Sequence, residues 1–143
     1  MMPIRAFPPL HTVALVFLGG TLGVAARALL GEAFPASDGL AWITILINIS
    51  GAFALGLLLE ALIPRPGEAE SPRSRTLRLL LGTGVLGGFT TFSALAVDTV
   101  HLLTLGRPLA ALAYALGSVL CGAVAAWLGI LLGARLARKR GRA

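Results

Sequence analysis

Acidic residues are scarce in this 143-residue chain: six Asp and Glu stand against twelve Lys and Arg, and charged residues of both signs make up only 13% of it. Cysteine occurs once, as Cys121 inside an apolar run, which excludes a disulfide framework and a CxxC redox pair. His11, His101 and Cys121 fall on three different apolar segments without metal-ligand spacing, so no transition-metal site is expected. What fills the chain instead is hydrocarbon. Hydrophobic residues reach 57% and the mean hydropathy is +0.89, well above the soluble norm of about half apolar.

A helical membrane span needs roughly 20 predominantly apolar residues, and four such runs are present, at about 11–30, 41–63, 77–104 and 108–136. The expectation is one all-α integral membrane domain over residues 1–143, with any activity inside the bilayer. The first run, with Arg5 ahead of it and Ala26-Arg27-Ala28 behind, has the outline of a signal peptide. Its length, and the small residues Gly19 and Gly23 set four apart, favour a first span in close helix contact.

The net charge of +6 would suit nucleic acid, but its placement argues for a membrane and no nucleic-acid partner. The segment before the first span, the Pro64–Thr76 loop with the residues flanking it, and the end of the chain hold ten of the twelve cations. Arg27 and Arg107 are the exceptions. The bias predicts a multi-pass protein of the cell (plasma or inner) membrane with both termini cytoplasmic.

The most unusual stretch is Leu81–Leu95, in the third span, where Gly82, Gly84, Gly87 and Gly88 alternate with Thr83, Thr90, Thr91 and Ser93. In lipid every backbone polar group must be satisfied, so such a segment is tolerated only against protein or along a polar path. Gly82-Thr-Gly-Val-Leu-Gly87 matches a dinucleotide fingerprint but lacks the strand, the βαβ unit and the downstream acid the motif needs. It reads instead as small-residue packing or as a broken helix that exposes carbonyls.

Asn48 lies in the most apolar part of the second span, and Thr44 precedes it by one helical turn. Tyr114 and Ser118 repeat that spacing on the fourth. These stripes read either as interhelical glue or as a hydrated track; their groups donate hydrogen bonds and none is anionic, so a track would suit an anion. Arg27, the one cation more than a residue inside the ends of these spans, either snorkels to the interface or concentrates anions at a pore mouth. Phe89 and Phe92, three apart, form a packing pair or offer a positive ring edge to an anion. Asp98 and His101, also three apart, either form a proton relay or lie near the outer end of the third span.

Together these residues resemble the Fluc/CrcB fluoride channel family. The resemblance rests on Gly19-Gly-Thr-Leu-Gly-Val-Ala-Ala-Arg27, Asn48-Ile-Ser-Gly51, Gly87-Gly-Phe-Thr-Thr-Phe-Ser93, and Tyr114 with Ser118. It implies a four-helix subunit with a broken third helix, paired with a second subunit in opposite orientation. It also implies two pores that let fluoride leave the cell passively, and a structural sodium ion (Na+) at the dimer centre. By position, Asn48 and Phe92 resemble the fluoride-contacting amide and the first pore phenylalanine. Thr44, Tyr114 and Ser118 resemble the polar track, Arg27 the vestibule arginine, and Gly87 and Thr90 the carbonyl donors to sodium. Where the family usually reads Thr-Thr-Phe-Ser-Thr-Phe, this chain has Thr90-Thr-Phe-Ser-Ala-Leu95, so the second pore phenylalanine is Leu95 and a track hydroxyl is Ala94.

Antiparallel homodimers need balanced Lys and Arg, whereas ten of twelve here favour one side. The chain could pair with itself or form one half of a heterodimer. Two other classes compete with the channel: a small multidrug-resistance-like proton-coupled exporter and a non-conducting partner subunit. The exporter needs a membrane-embedded carboxylate, commonly in the first span, and this first span has none.

Overall fold

The computed structural model describes residues 9–37, 39–64, 67 and 69–140; Arg5, Arg65 and Arg142 of the ten cations counted above lie outside them. Among the described residues, four helical spans are long and apolar enough to cross a membrane: Leu10–Ala33, Trp42–Ala61, Pro72–Thr104 and Pro108–Ala137. The chain is an all-helical, multi-pass membrane protein, with no strand among the described residues.

Helix α1 spans Leu10–Ala33 and α2 spans Trp42–Ala61. The turn between them is closed by paired main-chain bonds of Ser37 and Leu40, with Gly39 at a φ of 78°. The third span is composite. It opens with α3 (Pro72–Leu77), earlier than apolarity alone suggests, because Ser71 accepts from the Ser74 N–H and Pro72 presets the first turn. The turn then widens into a π-helical stretch, Arg78–Leu86, followed by the single turn α4 (Gly87–Phe89) and, after a break, by α5 (Phe92–Thr104). Helix α6 runs over Pro108–Arg140.

Helix α2 packs chiefly on α6, and α1 on the π-helical stretch and α4. In lipid, burial of apolar surface does not drive helices together, so close contact between backbones must. At Gly23 a Cβ would collide with the carbonyl oxygen of Val85, and at Gly129 with that of Phe53. The GxGxxG match belongs to this packing, since Gly82 and Gly84 are buried and Gly84 lies against Gly19. A small core of Leu95, Leu102, Ala111 and Tyr114 joins α5 to α6. Most large apolar side chains, among them Phe17, Leu22, Val119 and Trp127, point outward, as lipid requires.

Candidate functional site

The third span breaks at two residues. Thr90 (φ −74°, ψ 154°) and Thr91 (φ −150°, ψ 120°) are extended, so the helical ladder stops after Phe89 and restarts at Phe92. Buried extended backbone needs substitute partners, and two side chains supply them. Asn48 Oδ1 accepts from the Thr91 N–H at 2.7 Å while its Nδ2 donates to the Thr91 carbonyl at 2.9 Å. Thr91 Oγ1 in turn accepts from the Ala94 N–H at 3.1 Å, capping α5. Gly51, one turn on from Asn48, has no Cβ where the Thr90 methyl group seats.

The break releases particular carbonyls. In an unbroken helix the Thr91 N–H would bond the Gly87 carbonyl and the Ala94 N–H that of Thr90, four residues back. Both donors are committed elsewhere, to Asn48 and to the Thr91 hydroxyl. Gly88, between them, has its carbonyl taken by Arg27 Nε at 3.3 Å. Gly87 is itself exposed and Thr90 partly so. Two carbonyl oxygens without their helical donors fit a hard monovalent cation, which takes oxygen donors, and two oxygens are only part of a coordination shell.

A groove of about 320 Å³ flanks the break, lined by Asn48, Thr90, Thr91, Phe92, Leu95 and Ser118 together with apolar residues of α2 and α6. It brings together four residues singled out for a pore. Phe92 stands out from the protomer, 78% exposed, whereas Leu95 is 5% exposed and forms the groove floor. One amide proton of Asn48 remains after its bond to Thr91. Ser118 makes no hydrogen bond to the described residues and lines both this groove and a neighbouring hollow that includes Tyr114.

The other expected track residues lie behind this groove. Thr44 Oγ1 donates to Asp98 Oδ2 at 2.9 Å, and the Tyr114 hydroxyl lies 2.8 Å from the same oxygen. Tyr114 is also 3.2 Å from the Ala41 carbonyl, but its one proton goes to the shorter, charge-assisted contact. Asp98, which the sequence offered as a relay group or as a residue near the outer end of the third span, is the shared acceptor of Thr44 and Tyr114. The Thr44 and Tyr114 protons are therefore committed to a carboxylate. Asp98 was legible only through its helical position, six residues after Phe92, and the tertiary meeting of α2, α5 and α6 gives that position its meaning. Arg27 does not line the groove; it braces the break through Gly88. Thr91 was missed altogether, although the hydroxyl that opens Thr-Phe-Ser-Ala is a residue type that caps helices.

Residues 14–130 match the family model described as CrcB-like protein, Camphor Resistance (CrcB). The chain belongs to the CrcB family. Among relatives it is 47% identical, over 98% of both chains, to a protein of Leifsonia xyli subsp. xyli (strain CTCB07) named fluoride-specific ion channel FluC 2. It is 47% identical, over 82% of both chains, to fluoride-specific ion channel FluC 1 of Cutibacterium acnes (strain DSM 16379 / KPA171202). A third relative, fluoride-specific ion channel FluC 1 of Rhodococcus jostii (strain RHA1), is 43% identical over 89% of this chain and 90% of its own. These CrcB relatives are named as channels, which agrees with a site built of hydrogen-bond donors and a helix break rather than of a nucleophile and a base.

Proposed function

We propose that this chain is a subunit of a fluoride-specific channel that lowers cytoplasmic fluoride by passive efflux. The observation that carries the reading is the groove in which Asn48, Phe92 and Ser118 meet beside the break. Fluoride is small and strongly hydrated, so its passage needs donors that replace lost water at each step. The free Asn48 amide proton, the Ser118 hydroxyl and the positive edge of the Phe92 ring are such donors. Because Phe92 projects from the protomer, a second subunit is needed to close the groove into a conduit. An oppositely oriented subunit would place two breaks face to face, and their Gly87 and Thr90 carbonyls would together hold a sodium ion. That ion supplies positive charge that ties the two breaks together.

The bias of ten cations to one side supports one fixed orientation with both termini cytoplasmic, and hence a heterodimer whose partner provides the better aromatic set. Leu95 removes one aromatic edge from the groove floor. Fluoride efflux from liposomes, measured for this chain alone and with a neighbouring homologue, tests the reading. Fluoride flux that appears only with the homologue supports the heterodimer; full flux from the chain alone excludes it, and no flux in either condition excludes the channel.

A further inference from the structure

A second cavity, of about 240 Å³, lies where the beginnings of α1 and α3 meet, away from the groove and the break. Its wall includes His11, Thr12, Glu70, Arg75, Thr76 and Leu79. Glu70 is held by Arg78, with its Oε1 3.0 Å and Oε2 3.1 Å from Nη2. Arg75 has no carboxylate partner among the described residues and is the uncompensated charge at this cavity. Thr12 adds a hydroxyl beside it, and the Thr76 hydroxyl, whose proton goes to the Pro72 carbonyl at 2.9 Å, adds an oxygen.

The cavity does not end at the polar residues. Through Thr12 it adjoins a hollow on the outer face of α1 at Val13, Val16 and Phe17, and these continue into another that reaches Gly20 and Val24. Nothing lies within 4 Å of where a Gly20 Cβ would stand. From Thr12 to Val24 the track is roughly 18 Å long at 1.5 Å per residue. Half the hydrocarbon core of a bilayer is about 15 Å.

We propose that this track is a site for an anionic glycerophospholipid, with its phosphate on Arg75 and one acyl chain laid along α1. A polar head cavity followed by an apolar channel one leaflet deep matches the chemistry of such a lipid, and basic pockets between spans favour anionic headgroups. A soluble phosphate would make no use of the channel. The site lies at the end of the spans where the basic residues collect.

Native mass spectrometry of the purified full-length chain, with palmitoyl-oleoyl phosphatidylglycerol or the matching phosphatidylcholine added at equal concentration, tests the assignment. Expected is retention of one phosphatidylglycerol per protomer, about fivefold over phosphatidylcholine, the scale of one arginine at an anionic surface. Arg75→Gln should abolish that preference, and Gly20→Leu, which fills the channel without touching the protomer interior, should lower retention of both lipids. Arg73→Gln, the same charge loss outside the cavity, should change neither. Unaltered preference in Arg75→Gln, an equal loss in Arg73→Gln, or displacement of the lipid by glycerol 3-phosphate overturns the proposal. So does a disulfide between two copies carrying Phe17→Cys with Cys121→Ser in membranes, which would show a second chain on this face.

Discussion

Asn48 grips Thr91 by both ends of its amide, across 43 residues of sequence, at 2.7 and 2.9 Å. The side chain does for Thr91 what a neighbouring strand would do for an extended residue. It is thus a fastener of the helix break as well as a donor to the groove. Asn48→Leu should remove both bonds and leave the Thr91 main chain unpaired, at a cost of about 1–3 kcal/mol. We expect a lower melting temperature in detergent and loss of fluoride efflux from liposomes together. Loss of flux with unchanged melting would show that the clamp contributes nothing to stability.

Phe92 should separate the two properties. Its ring is 78% exposed in the protomer and supports none of the core. Phe92→Ile should leave the helical content of the protomer unchanged and slow fluoride efflux about fivefold, from a loss of ~1 kcal/mol of edge contact. Unchanged efflux would remove the ring from the conduction path.

Thr91 should be sensitive to loss of its hydroxyl, which caps α5 and withholds the Ala94 N–H from Thr90. Thr91→Val should cost about 1 kcal/mol in thermal stability, and Thr91→Ser should recover it. Because the capped N–H is what frees the Thr90 carbonyl, Thr91→Val should also weaken any dependence of dimer mass on sodium, measured by light scattering across sodium concentrations.

Thr44 and Tyr114 both donate to one oxygen of Asp98, so their removals should not add. The second loss strips the carboxylate of its last donor, and Thr44→Val with Tyr114→Phe should cost more than the two single changes summed, by about 0.5–3 kcal/mol. Chemical denaturation of the four proteins of this cycle measures the difference. Simple additivity would mean that the two hydroxyls act on Asp98 independently.

Gly23 and Gly20 offer a contrast within one helix. A Cβ at Gly23 meets the Val85 carbonyl, whereas at Gly20 it meets nothing. Gly23→Ala should destabilise the seating of α1 on the break by about 1–3 kcal/mol, and Gly20→Ala should be neutral or slightly stabilising through its helix propensity. Equal effects would place the contact elsewhere on α1.

The number and type of spans were legible in the sequence, because a bilayer demands long apolar runs and leaves few other solutions. So was the third span as the place of a break: four glycines among threonines weaken a helix by composition alone. The grouping of Asn48, Phe92 and Ser118 came from the family resemblance, and the structure sets them around one groove. Only the tertiary structure decided what their polar atoms do. It bound Asn48 to Thr91, turned Arg27 onto Gly88, buried Leu95 beneath Phe92 and gave the Thr44 and Tyr114 protons to Asp98. The physical reason is that helical periodicity assigns a residue to a face, while a hydrogen bond depends on which atoms of distant segments come within about 3 Å of each other.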